Sequence, residues 1–304
     1  YSGQLQEDVV SLEGALEEYL AFKSEEEGSN QELAQRIERI KKDMAHVYGL
    51  PKLRQVPLGE ITRQDANELR DHLLERVSPN SAARMLGVVR AAINHVLVER
   101  SLTHPNVFTK LKIKGAGASR EDRLPLSDTQ VRDLLPEYQS NDVAWALFVT
   151  LRDTGARVSE IAGLTVADCD LEARVLHIRP TPWRRLKTQS SERSLPLSPD
   201  AQSALEVLIS TKAKEEPIFA RYAKDRGRDA ASAMLMKRFR RVITDKKLSM
   251  HSLRHRMKDK LRNSGCPENL SMAILGHSTN TVAANYGSGY AIEVMREAME
   301  KAWT

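Results

Sequence analysis

The chain has 304 residues, a length that allows about two domains of roughly 150 residues each. Hydrophobic residues make up 41% and charged residues 29%, which is typical of globular proteins with packed cores. The sequence lacks a run of about 18 apolar residues, which excludes a membrane span, and its first residues do not resemble a secretory signal. Two cysteines, Cys169 and Cys266, exclude a disulfide scaffold and favour a reducing, intracellular compartment.

The net charge of +5, from 46 basic and 41 acidic residues, is distributed unevenly along the chain. Residues 1–30 carry eight acidic residues and one basic residue, a net charge of −7. Residues 234–262 carry eleven basic and two acidic residues, a net charge of +9. A stretch with this many basic residues indicates either a polyanionic partner or a solvated helix face.

Residues 1–113 predict a bundle of four helices, because apolar residues recur there at spacings of three and four. The four predicted helical segments are 8–24, 30–49, 62–77 and 78–102. Gly49 ends the second segment, Thr62 is a candidate N-cap for the third, and a Ser78–Pro79 break precedes the fourth. On the fourth segment, Arg84 and Arg90 either contact phosphate or belong to a solvated face.

Residues 114–123 are polar and glycine-rich, which predicts a linker before a second domain at 124–304. Ser127 and Gln130 predict a capping box, and an apolar helix follows over residues 141–155. Three short segments predict a small antiparallel sheet, and helices are predicted from Pro199 onward. These three segments are 174–180, 184–188 and 193–197. The predicted fold class is mainly α with a small antiparallel β-sheet.

Three short motifs carry residues suited to phosphate chemistry. TGARVSEIAGL holds Arg157 and Glu160, HSLRH holds His251 and Arg254, and LGHSTNTVAANYG holds His277 with Tyr286 nine residues later. Each motif alone also fits an ordinary structural role: a salt bridge, a helix face or a packed tyrosine. Arginine suits a phosphodiester because its planar fork matches two phosphate oxygens and keeps its charge.

In this order and spacing, the motifs resemble the tyrosine recombinase, or phage integrase, family of site-specific DNA recombinases. LKTQSSERSLPL adds Lys187, which matches a family lysine on a β-hairpin. The resemblance covers about residues 121–304 and implies an α+β catalytic domain with a C-terminal docking helix. Residues 1–113 resemble the family's helical core-DNA-binding domain by helix pattern and position.

The resemblance implies a role for each matched residue. Arg157 and Arg254 bind the non-bridging oxygens, and Tyr286 is the nucleophile, with Tyr290 as an alternative. His251 accepts the tyrosine proton or hydrogen-bonds the phosphate, His277 donates a hydrogen bond to it, and Glu160 supports Arg157 or the histidine. Lys187 is the general acid, although Arg184 and Arg185 lie close to it in sequence. The residues predicted to contact DNA outside this site are Arg84, Arg90, Lys237, Arg238, Arg240 and Arg241.

The implied function is an integrase that cuts and rejoins DNA through a 3′-phosphotyrosine intermediate and a Holliday junction. We predict no cofactor, because the sequence has neither a phosphate-binding Gly-Lys-Ser/Thr loop nor a cluster of metal ligands. The expected partners are a double-stranded recombination site, a homo-oligomer (a tetramer on DNA) and DNA-bending accessory proteins. The expected location is the cytoplasm, at the nucleoid, in a prokaryotic, phage or mobile-element context.

Two other functions fit parts of the sequence. A type IB topoisomerase or telomere-resolving enzyme would use the same residues, and as a monomer it would relax DNA without exchanging partners. A non-catalytic DNA-binding accessory protein would lack one of the key residues, all of which are present. After Tyr286, an amphipathic helix with Ile292, Met295, Met299 and Trp303 packs either on its own domain or on a neighbouring subunit.

Overall fold

The computed structural model describes residues 10–27, 31–117, 124–184, 186, 191–277 and 289–304. The chain divides into two compact units, Tyr1–Arg120 and Glu121–Thr304. Among the described residues, each helix is too short or too polar to cross a membrane.

The described part of the first unit contains five α-helices rather than the four predicted. They are α1 (Leu12–Glu27), α2 (Gln31–Tyr48), α3 (Leu50–Gln55), α4 (Arg63–Arg76) and α5 (Pro79–Glu99). The helix missed by the sequence analysis is α3, a short helix that begins directly after Gly49. Gly49 is the N-cap residue of α3, with a φ of +76° that glycine adopts without strain, and Pro51 lies in the first turn of the helix.

The predicted starts of α4 and α5 are confirmed, whereas α1 begins at Leu12 rather than at residue 8. Thr62 caps α4 in a capping box with Asp65, and the Ser78 hydroxyl caps α5 ahead of Pro79. The unit's core lies between α1 and α5, with α2 and α4 packed against them. Local capping signals therefore set the starts of α4 and α5, and the buried residues of the helices form one core.

The second unit surrounds the apolar helix α7 with seven further described helices and a small sheet. The helices are α6 (Asp128–Gln139), α7 (Asp142–Thr154), α8 (Val158–Ala162), α9 (Pro199–Ile209), α10 (Gly227–Val242), α11 (His251–Asn263), α12 (Glu268–Leu275) and α13 (Ile292–Trp303). The predicted capping box of Ser127 and Gln130 starts α6. Helix α7 is almost wholly buried and packs against α6, α8, α9, α10, α11 and α13. It therefore forms the centre of the core on which the site is built.

The sheet is antiparallel and has three described strands, in the order β1 (Cys169–Asp170), β2 (Val175–Ile178) and β3 (Arg193–Pro196). Two of the three predicted segments contain β2 and β3. The strand β1 was missed, because two residues are too short to show alternation. The prediction of a strand over 184–188 is wrong at Arg184, which forms an isolated bridge with Thr181 instead. Arg185 and residues 187–188 lie outside the described residues.

The C-terminal helix α13 packs on its own unit, which is one of the two alternatives left open by the sequence. Its apolar face contacts α7, α11 and β3, and Met299 is fully buried. Trp303 Nε1 donates to Asp153 O at 2.8 Å, and Arg296 Nη2 donates to Ala173 O at 2.8 Å. The helix is therefore fixed at both its middle and its end.

Candidate active site

The motif 154–160 reverses the chain between α7 and α8. Helix α7 ends at Gly155, whose φ of +63° lies in the left-handed region that glycine adopts without strain. A Cβ at this position would lie 2.8 Å from Leu275 Cδ2, so the turn packs closely against the end of α12. Arg157 follows as the N-cap residue of α8, with a side chain that is 25% exposed. The turn thus delivers a partly accessible guanidinium to the end of α12.

Glu160 holds Arg157 from within α8. Its carboxylate accepts hydrogen bonds from Arg157 Nη1 at 2.6 Å and from the Arg157 backbone N at 2.9 Å. Burial alone would raise the pKa of Glu160, but the charges and hydrogen bonds of Arg193 and Arg157 outweigh it and lower that pKa below its ordinary value. Glu160 is therefore an ionised partner of Arg157 at neutral pH.

Arg254 reaches the same place from α11. It is buried, its Nη1 donates to Gly155 O at 2.8 Å, and its Nη2 donates to Leu275 O. Burial, and then the positive charge of Arg157, lower the pKa of Arg254 to about 10. The guanidinium therefore remains charged at pH 7, next to Arg157.

The C-terminal end of α12 is the meeting point of three arginines. Three successive carbonyl oxygens each accept a hydrogen bond from a different arginine: Ile274 O from Arg193 Nε at 2.8 Å, Leu275 O from Arg254 Nη2, and Gly276 O from Arg157 Nη2 at 3.2 Å. Carbonyls at a helix C-terminus lack intrahelical partners and carry partial negative charge, so they attract guanidinium groups. The helix end and Glu160 thus gather three positive charges into one cluster.

His277 follows directly after these carbonyls. Gly276, with φ of +63°, reverses the chain, and His277 N donates back to Met272 O at 3.0 Å. Burial and four nearby cations lower the pKa of His277 to about 4, the cations being Arg254, Lys258, Arg157 and Arg193. The imidazole is therefore neutral at pH 7, a form that has one N–H donor and one acceptor nitrogen.

The structure brings four of the predicted residues together: Arg157, Glu160, Arg254 and His277. His251 is the exposed first residue of α11, one turn before Arg254, and its ring meets that of His255 edge-on with centroids 4.9 Å apart. Lys187, Tyr286 and Arg185 lie outside the described residues. The alternative nucleophile Tyr290 is described and is 43% exposed.

Arg184, which lies close to Lys187 in sequence, is buried. Its two terminal nitrogens donate to Glu160 O and Arg179 O. A Cβ on Gly163 would lie 2.7 Å from Arg184 Cδ, so glycine is needed where this side chain crosses the end of α8. Arg184 therefore anchors the chain that leads from β2 toward residue 187.

The residues predicted to bind DNA outside the site have different surroundings. Arg240 donates to the carbonyls of Ile243, Asp245 and Leu248, and so clamps the turn between α10 and α11. Arg238 donates to Glu137 O at 2.6 Å, and Arg241 pairs with the Glu137 carboxylate at 2.9 Å. Lys237 on α10, and Arg84 and Arg90 on α5, are exposed. Contact with DNA remains a prediction for all six.

The sequence analysis missed Arg193, the third arginine of the cluster. Its partners Glu160 and Ile274 are 33 and 81 residues away along the chain, so no local pattern reveals the contacts. One indirect signal for such an arginine was available. The carbonyl oxygens of the last residues before a helix-ending glycine such as Gly276 lack intrahelical partners and need hydrogen-bond donors from other segments.

Comparison with known proteins identifies the family of the chain. The model of the phage integrase family matches residues 126–290, which is more than half of the chain. The chain belongs to the phage integrase family. Members of this family, the tyrosine recombinases, are enzymes that break and rejoin DNA.

Among its relatives is the tyrosine recombinase XerD of Corynebacterium glutamicum, 29% identical over 229 residues that cover 70% of this chain and 71% of that protein. Among solved structures, the Tn1549 transposon integrase in complex with a circular intermediate DNA has a TM-score of 0.69 at 20% identity, covering 96% of this chain and 99% of that one. A lambda integrase tetramer bound to a Holliday junction has a TM-score of 0.68 at 16% identity, covering 91% of this chain and 80% of that one. These two likenesses show that the fold is shared.

Proposed function

We propose that this member of the family is a site-specific recombinase that cleaves DNA through a covalent 3′-phosphotyrosine at Tyr286. The observation that carries the proposal is the cluster at the end of α12, which contains Arg157, Arg193, Arg254 and His277. Glu160 pairs with two of these arginines, Arg157 and Arg193. Three positive charges and one negative charge leave a net charge of +2. A phosphodiester, which carries one negative charge and gains more in its transition state, is suited to such a site.

In this proposal, Arg157 and Arg254 bind the non-bridging oxygens of the scissile phosphate. Their guanidinium groups are already fixed by carbonyl oxygens of the protein, so little reorganisation is needed when charge develops on phosphorus. Neutral His277 donates its N–H to a phosphate oxygen. Loss of one such fixed donor costs roughly 3–4 kcal/mol of transition-state stabilisation.

The proposed reaction is balanced without hydrolysis. The phenolic oxygen of Tyr286 attacks phosphorus and gives up its proton to His251, while the bond to the 5′-oxygen breaks. Lys187 gives a proton to that leaving oxygen. In the reverse direction a 5′-hydroxyl attacks the phosphotyrosine, so strands are rejoined without an external energy source or a metal ion.

We further propose that the protein acts as a homotetramer on a recombination site, at the nucleoid in the cytoplasm, and exchanges strands in pairs through a Holliday junction. The related lambda integrase, described as a tetramer on such a junction, supports this assembly. DNA-bending accessory proteins belong to the same proposal.

The decisive experiment uses a nicked half-site oligonucleotide and a denaturing gel. We expect wild-type protein and Tyr290→Phe to give a DNA-linked band that is absent in Tyr286→Phe. A band that persists in Tyr286→Phe and is lost in Tyr290→Phe would reject the proposed nucleophile. The absence of a DNA-linked band with the wild-type protein and with both variants would reject the proposed reaction.

A second experiment tests the general acid. Lys187→Ala should cleave poorly on normal DNA and recover on a substrate whose bridging 5′-oxygen is replaced by sulfur, because sulfur leaves without a proton. Absence of recovery would remove Lys187 from this role. Arg185→Ala on the same pair of substrates serves as the control.

A further inference from the structure

Arg193, at the start of β3, is the arginine of the cluster to which the family motifs give no role. We infer that Arg193 is a positioning residue for DNA cleavage, which holds Glu160 and the end of α12 so that Arg157 and His277 keep a fixed geometry. This inference rests on the proposed function, because the cleavage reaction is its readout.

Arg193 links three separate segments of the second unit. Its Nη2 donates to Glu160 Oε2 at 3.0 Å, its Nε to Ile274 O at 2.8 Å and its Nη1 to Ser191 O at 2.8 Å. The side chain is only 5% exposed, so water has little access to replace these bonds. A buried guanidinium with all three nitrogens engaged has a single orientation, which a lysine cannot reproduce.

Glu160 is shared between Arg193 and Arg157. One carboxylate oxygen faces Arg157 Nη1 at 2.6 Å, and the other accepts from Arg193 Nη2 at 3.0 Å and from the Arg157 backbone N at 2.9 Å. Without Arg193, the carboxylate keeps its hydrogen bonds to Arg157 but no longer shares its negative charge with a second guanidinium group. Glu160 then neutralises more of the Arg157 charge that the phosphate needs.

The second connection runs through the end of α12. A Cβ built on Gly276 would lie 2.6 Å from Arg193 Nη1, so the arginine and the helix-ending glycine fit together without spare room. Gly276 O accepts from Arg157 Nη2, and the next residue is His277. A shift of Arg193 is therefore transmitted to the backbone that carries His277.

The test measures single-turnover cleavage on the nicked half-site at saturating DNA, together with the Kd for the same DNA. We expect Arg193→Met to cleave about 10- to 100-fold more slowly, since a displacement of roughly 1 Å costs up to about 100-fold. The Kd should change by less than about threefold, because all three side-chain nitrogens of Arg193 bond to protein groups. Arg193→Lys, which keeps the charge but not the fork, should also be slower than wild type.

Arg152→Met is the matched control, because Arg152 is another largely buried arginine, paired with Asp153 at 2.6 Å and Asp200 at 2.8 Å. We expect it to lose thermal stability but to cleave at the wild-type rate below its melting temperature. Wild-type cleavage by Arg193→Met overturns the inference, as does an equal loss of rate in Arg152→Met. If Arg193→Met does not fold, Arg193→Lys decides the question by the same criteria.

The outcome separates this inference from the proposed function. A wild-type protein that gives no Tyr286-dependent covalent complex rejects the proposed function and the inference together. A wild-type complex combined with an unaffected Arg193 variant rejects the inference alone.

Discussion

The substitution Glu160→Gln tests how strongly one buried carboxylate stabilises the cluster. It keeps the shape of the side chain but removes the charge that Arg157 and Arg193 share. The carboxylate accepts three hydrogen bonds, whereas an amide turns an N–H group toward one of the guanidinium groups. Removing one partner of a buried ion pair costs about 3–5 kcal/mol. Because Arg157 is 25% exposed and keeps some hydration, we expect the lower end, about 3 kcal/mol.

For a unit of 184 residues (121 to 304), about 3 kcal/mol corresponds to a decrease in Tm of roughly 6–12 °C. The assay is thermal unfolding at pH 7 followed by circular dichroism, with Glu137→Gln as the control. Glu137 pairs with Arg241 at the surface, so its substitution should change stability by less than about 1 kcal/mol.

The same pair of proteins gives a pH test with a defined sign. The pKa of Glu160 is lower in the folded protein than its ordinary value, so its stabilising effect is complete above the ordinary pKa and is lost as the pH falls through the folded one. The gap in Tm between wild type and Glu160→Gln should therefore narrow in acid. A gap within about 2 °C at pH 7, or one that is unchanged down to acid unfolding, would refute the reasoning.

Three further predictions follow from the described contacts. NMR titration of His277 should give a pKa of about 4, and a midpoint near 6.5 would contradict this. Because the pKa of His277 is lower in the folded protein than in the unfolded chain, the free energy of unfolding should decrease as the pH falls from about 6.5. Gly155→Ala should decrease the free energy of unfolding, measured in urea, by about 1–3 kcal/mol, because the new Cβ would lie 2.8 Å from Leu275. The control is Gly87→Ala, within α5 and with open space around its Cβ, which should be stabilising or neutral. Thr62→Ala removes the side chain that caps α4 and should decrease the free energy of unfolding by about 1 kcal/mol. An unchanged urea midpoint would argue against the capping box.

Local signals in the sequence predicted the helix starts well. Thr62, Ser78 and Ser127 each cap the helix that follows, because the side chain, the backbone donors and the turn lie within four residues. The two elements that the sequence analysis missed are both very short. The six residues of α3 are too few to show periodicity, and β1 has only two residues, whose pairing depends on β2.

The site itself follows from the sequence only through the family resemblance. Arg157 and Gly276 are 119 residues apart, and Arg254 and Gly155 are 99 residues apart, so no propensity or spacing rule brings them together. Arg157, Arg254 and His277 were identified because they stand in the motifs that carry this resemblance. Arg193 contacts other protein groups, and its place in the cluster could be recognised only from its three hydrogen bonds in the structure.

The arrangement at the end of α12 explains how three arginines remain close together without substrate. Each repels the others, and burial lowers the pKa of both Arg193 and Arg254. The opposing attraction comes from Glu160 and from the carbonyl oxygens of residues 274–276, which are fixed by the helix. The fold thus holds the cations in position before DNA arrives, but leaves their charge only partly balanced. In the proposed function, a phosphodiester with one negative charge lowers the net charge of the three arginines and Glu160 from +2 to +1, so its binding should stabilise the second unit as well as align the phosphate for attack.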